Sequence, residues 1–150
     1  MSQTRLEQFE KRFDELSLMF AKGQLKLASK NFAEPLTIYL EDRLVSSPDR
    51  RYLEKMASEF SAYLAAQGAM EIGGKVTNFH ESARGFRAIV QARAKFGDVW
   101  QDTMQIEYFC RKAGDDFLIE MLVVRNLKSE AIRHLQTTKL ATIAEGMLHD

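Results

Sequence analysis

The chain has one cysteine, two prolines and no net charge, its 21 Lys and Arg balancing 21 Asp and Glu over 150 residues. A single thiol, Cys110, makes no internal disulfide, and no Cys/His cluster has zinc-site spacing. Without a basic excess there is no electrostatic footprint for nucleic acid. Balanced charge also removes the repulsion that keeps copies apart, which favours self-association. No apolar run approaches the roughly 20 residues of a membrane span. The opening MSQTRLEQFEKRFDEL lacks a secretory apolar core, so a soluble, cytoplasmic protein with no membrane or nucleic-acid partner is expected. A Gly-rich phosphate loop, paired histidines on a helix and a nucleophile elbow are also missing. No cofactor and no metal are expected, and no motif names a reaction.

What is present reads as one domain over residues 1–150, with 45% hydrophobic and 10% aromatic residues and length enough to bury about 70% of its unfolded surface. Leu6, Phe9, Phe13, Leu16 and Phe20 recur at helical spacing, with Gly23 as terminator. Residues 24–32 suggest a second short helix. Pro35 then disfavours helix in what precedes it, and EPLTIYLEDRLVSS reads as a first strand in which Leu36, Ile38 and Leu40 alternate with polar neighbours. Ser47-Pro48-Asp49 is a helix start. Tyr52, Met56, Phe60, Tyr63 and Leu64 are the buried stripe of that helix, which should stop at Gly68.

From residue 69 the period changes to two. MEIGGKVTNFHES, RGFRAIVQARAKF, VWQDTMQIEYFCR and DFLIEMLVVRNL are four strand candidates joined by short turns, which require antiparallel neighbours. Gly73-Gly74 suggests a bulge. Ser129 could cap a last helix through about residue 142, with Ile132 and Leu135 inward and a frayed tail beyond. Amphipathic helices set against one bent antiparallel sheet make an α+β domain, its core over residues 4–127 and its C-terminal helix and tail over 128–150.

This element order, with KGQLKLASKNFAEPLTIY and QIEYFCRKAGDDFLIEM, resembles the nuclear transport factor 2-like superfamily, which includes ketosteroid-isomerase-like and SnoaL-like proteins. Helix, glycine, short helix and strand open the chain, and Glu107 stands two residues before Phe109 ahead of a Gly turn. The resemblance implies a cone, a strongly curved antiparallel sheet around a pocket closed by the N-terminal helices. It also implies homodimers packed through the convex sheet face and, in some members, cofactor-free isomerase, cyclase or dehydratase chemistry on a small organic molecule. Fold alone does not deliver function.

Glu107 is the candidate catalytic carboxylate, with Tyr39, Arg93 and Tyr108 as candidate ligand-binding neighbours. The resemblance places Tyr39 or Leu40 where an isomerase would carry its base, so that base is missing. Two readings of Glu107 stay open. Alternation groups Thr103, Gln105, Glu107, Phe109 and Arg111 on one face and Met104, Ile106, Tyr108 and Cys110 on the other. Periodicity sends Glu107 outward; the resemblance turns it into the cone, where Glu107→Gln would alter ligand binding and leave melting nearly unchanged. Arg93 pairs with Glu107 or receives an anion. His80 and Trp100 lie at strand ends, Tyr63 and Cys110 read as packing residues, and His134 and His149 carry no assignment. A small-molecule-binding domain is one expectation; a non-catalytic dimeric protein-interaction module is the other.

Overall fold

The structure, a computed structural model, describes residues 4–40, 43–47 and 49–126. Helix α1 runs Arg5–Ala21. The Thr4 hydroxyl accepts from the Glu7 amide at 3.1 Å, satisfying one of the first-turn N–H groups that have no partner within the helix. The stripe read from spacing is the buried one: Phe9, Phe13 and Leu16 are buried and Phe20 packs on the same cluster. Gly23 follows at φ 74, a backbone setting that a side chain would strain. Helix α2, Leu25–Ala28, and a 3-10 turn, Ser29–Asn31, occupy the span of the expected second helix.

Residues 34–47 are not one strand but part of a hairpin. Strands β1, Phe32–Leu40, and β2, Arg43–Ser47, pair antiparallel, with Ile38 opposite Val45. No Gly or Pro marks this reversal, which is why the sequence reads straight through it. Helix α3, Arg50–Ala66, is capped by Asp49 rather than Ser47, the carboxylate accepting from the amides of Arg51 and Tyr52 at 2.9 and 3.3 Å. Among its described side chains Leu53 and Leu64 are buried and Tyr52 and Tyr63 half-buried. Pro48, the Met56 and Phe60 side chains, the expected C-terminal helix with Ile132, His134 and Leu135, and the tail with His149 lie outside the described residues.

The four remaining candidates are four strands: β3 (Ala69–Glu81), β4 (Gly85–Phe96), β5 (Val99–Ala113) and β6 (Asp116–Arg125). The described strands form one six-stranded sheet in the order β2-β1-β6-β5-β4-β3. Every pair joined by a short turn is antiparallel. The β1–β6 pair is parallel, because no turn joins those two strands and so none dictates their direction. The fold is α+β, a curved sheet with the N-terminal helices on one face.

Register shifts interrupt the ladders at residues 69–71 and 76–78 of β3, at Thr103 in β5 and at Glu120 in β6. Such extra residues bend strands and increase their twist. The bulge expected at Gly73-Gly74 is absent, since both glycines stay paired with Arg93 and Ala92. Gly74 serves close approach instead. A Cβ there would lie 2.9 Å from the Phe13 ring and 2.8 Å from Val90, so α1 rests almost on the β3 backbone.

Candidate functional site

Alternation along the central strands separates two faces. On the inner face Phe86, Ala88, Val90 and Ala92 of β4 stand opposite Cys110, Tyr108, Ile106 and Met104 of β5. The first three pairs join the core under α1. Beside that core a cavity of about 160 Å³ remains. Phe13, Phe20, Phe32, Leu64, Ile72 and Ile106 supply apolar parts of its wall, and the hydroxyl residues Ser17, Ser61, Thr103 and Tyr108 also line it. No Asp, Glu, His, Lys or Arg stands among the described residues of that wall.

Burial pushes the Tyr108 phenol well above the ordinary tyrosine range, and the neighbouring Cys110 pushes the same way. Tyr108 is therefore a neutral hydrogen-bonding group across the working pH range, not a base. The Cys110 thiol is pushed up too, by burial first and by Glu120 second. It is a packing residue in the core rather than a nucleophile.

Glu107 is on the other face. Ile89 and Val123 stand directly opposite it on the flanking strands. Its Oε2 lies 3.2 Å from Arg87 Nε, and Arg125 Nη1 donates to Oε1 at 3.2 Å. The carboxylate is 9% exposed while the two arginines are about half in solvent. Both oxygens thus face guanidinium groups on the outer side of the sheet, Oε1 through a hydrogen bond and Oε2 at ion-pair distance.

No protein-family model matches the chain, and no curated protein matches its sequence. Solved structures do match. A nuclear transport factor 2-like protein of unknown function from Shewanella oneidensis MR-1 superposes with TM-score 0.62 at 9% identity, over 82% of this chain and 100% of that one. A domain of unknown function with a cystatin-like fold from Nostoc punctiforme gives 0.63 at 11% identity, over 99% and 97%. This is the nuclear transport factor 2-like fold. A putative scytalone dehydratase from Novosphingobium aromaticivorans shares it, with TM-score 0.55 and 11% identity over 82% and 84%.

Within the nuclear transport factor 2-like fold of this chain, the residues singled out from sequence do not form one site. Tyr108 lines the cavity. Glu107, its neighbour on the strand, faces away, which corrects the placement that the resemblance implied. The physical reason is plain: Tyr108 packs edge-on against Phe9 and Phe13, ring centroids 5.4 and 5.9 Å apart, and alternation then forces Glu107 out. Tyr39 also lies on the outer face, in register with Val123 and two strands from Glu107. Arg93 does not reach Glu107. It pairs with Asp102 at 3.5 Å and lies over the Trp100 ring at 5.8 Å.

Sequence reasoning missed Arg87 and Arg125 because diagonal neighbours require the register to be known. The turn pairs Phe96 with Val99, but the extra residue at Thr103 shifts the ladder so that Glu107 meets Ile89 instead of Ala88. His80 is exposed at the end of β3. No described helix is long and apolar enough to cross a membrane.

Glu107→Gln should lower stability by no more than about 1 kcal/mol, since both arginines can turn to water when the charge goes. It should leave binding in the cavity unchanged. Thermal melting with a ligand titration on the same variant checks both, and altered binding with unaltered melting would return Glu107 to the cavity.

Proposed function

We propose that the chain binds a small, mostly apolar molecule in the cavity beneath α1 and α3. The observation that carries this reading is the wall itself, apolar side chains interrupted by a few hydroxyls, the usual composition of a ligand pocket. The putative dehydratase of the same fold supports a small-molecule reading by analogy of fold alone. Isomerase, cyclase or dehydratase chemistry needs a group that carries a proton near the operating pH. The described wall offers only the Tyr108 phenol, so binding without chemistry is the favoured function, with Tyr108 as its main polar contact. Tyr39 and Arg93, on the other face, have no part in it.

The test is melting of the full chain in the presence of benzene-sized ligands, with Ala57→Leu on α3 as the variant that fills the cavity. A ligand at one hundred times its Kd should add about 2.7 kcal/mol, and Ala57→Leu should remove that gain while remaining folded. No stabilisation by any such ligand would end the reading.

A second reading rests on the outer face. Exposed Tyr39 and half-buried Ile89, Phe109, Met121 and Val123 surround Glu107 with apolar surface that no described helix covers. Two copies packed there would make a homodimer, and the alternative function would be that of a protein-interaction module. Sedimentation at micromolar concentration should then give a dimer that Phe109→Glu splits; a monomer at every concentration removes this reading.

A further inference from the structure

The polar groups of the cavity restrict the kind of molecule that suits it. Four hydroxyls belong to its wall: Ser17 on α1, Ser61 on α3, and Thr103 and Tyr108 on β5. Alternation alone would turn Thr103 outward with Gln105 and Glu107. It is instead the extra residue of β5, standing between the Ala92–Met104 and Arg93–Asp102 pairs. The bulge brings Thr103 to the same cavity as Tyr108.

No described residue forms a hydrogen bond with any of these four side-chain hydroxyls. Ser17, Thr103 and Tyr108 are nevertheless more than nine-tenths buried. Their oxygens are not sealed in, for the sealed polar atoms without a hydrogen bond among the described residues are the Nε atoms of Arg87 and Arg93, each of which lies in an ion pair. A buried hydroxyl without a partner is costly unless something in the adjoining space bonds it.

Charge and size narrow the occupant. With no cation on the described wall, a carboxylate or phosphate would shed its water and find nothing to replace it. A volume of about 160 Å³ matches the scale of cavity that takes up a single benzene ring. Phe13, Phe20 and Phe32 offer aromatic surface to such a ring.

We propose that the cavity binds a neutral one-ring phenol, its ring among Phe13, Phe20 and Phe32 and its hydroxyl bonded by Tyr108. This rests on the small-molecule reading above. A phenolic hydroxyl accepts the Tyr108 proton and still has a proton to donate, whereas a ketone accepts from Tyr108 but has none to give and a hydrocarbon leaves Tyr108 unpaired. Burial keeps the Tyr108 proton in place to be donated.

The experiment is an NMR titration of the full chain with phenol, benzene, cyclohexanone and benzoate in turn. Phenol should bind about fivefold or more tighter than benzene, the worth of one hydrogen bond, and tighter than cyclohexanone; benzoate should not bind. Tyr108→Phe should erase most of the phenol advantage over benzene. If that variant does not fold, NOEs from phenol protons to the Tyr108 ring decide in the parent chain, and their absence at saturation overturns the assignment. Benzene or cyclohexanone matching phenol, or benzoate surpassing it, would overturn the phenol assignment and leave a small-molecule site standing. Binding by none of the four would overturn the site as well.

Discussion

Phe9→Ala should cost about 3–5 kcal/mol, the range for emptying a fully enclosed aromatic site. Phe9 is 1% exposed and sits where α1 meets the sheet. Its ring centroid lies 6.2 Å from Phe13, 5.7 Å from Phe86, 5.4 Å from Tyr108 and 6.1 Å from Phe117. One side chain therefore touches rings on α1, β4, β5 and β6. The void left by truncation cannot close easily, because its other walls are side chains of the sheet, which hydrogen-bonded ladders hold in place. Domains of ordinary stability hold only about 5–15 kcal/mol, so the variant should sit near its unfolding midpoint under mild conditions. Urea unfolding by circular dichroism checks this. A midpoint within the error of the parent would mean that α1 is not docked as described.

Gly85→Ala should be nearly as damaging, at about 3 kcal/mol, the upper end of overpacking costs, and for the opposite reason. A Cβ on Gly85 would stand 2.0 Å from the Cys110 carbonyl oxygen and 3.0 Å from the Arg111 Cα. Both neighbours are backbone of the paired strand, so no side chain can rotate aside. Relief requires the β4 and β5 backbones to part where Gly85 pairs with Arg111. The adjacent bonds, Ser82 N–H to the Gly85 carbonyl at 2.8 Å and Lys112 N–H to the Arg84 carbonyl at 3.0 Å, would be strained with them. Urea unfolding gives the size of the loss, and amide exchange should place its onset at the β3–β4 hairpin. Parent-like stability would mean that the two strands are not so close in solution.

Much of this architecture was legible in the sequence because its signals are local. The stripe from Leu6 to Phe20, the glycine after it and the change of period at residue 69 each reflect contacts repeated every few residues. The four strands after residue 69 and their antiparallel pairing followed from short turns. The β1–β2 hairpin was not legible, since no Gly or Pro marks it. The Asp49 cap was missed because Ser47 and Pro48 made an equally good local start. Gly73-Gly74 was read as a bulge because a glycine pair in a strand looks the same whether it bends the strand or lets a helix approach.

The cavity was the least legible part, and the reason is register. The alternating pattern around Glu107 presented two faces without labelling either as the inside. Arg87 and Arg125 were unremarkable surface arginines until pairing placed them diagonally across from that carboxylate.

By itself, then, the sequence determined the buried stripe of α1, the four strands after residue 69 and the absence of any cofactor motif, all of which depend on neighbours within a few residues. Only the tertiary structure decided which side faces the helices. The Phe9–Phe13–Tyr108 packing turned Glu107 outward, and one extra residue in β5 turned Thr103 inward. A side chain's face along a strand is a local property, but what covers that face is set by contacts between residues a hundred positions apart.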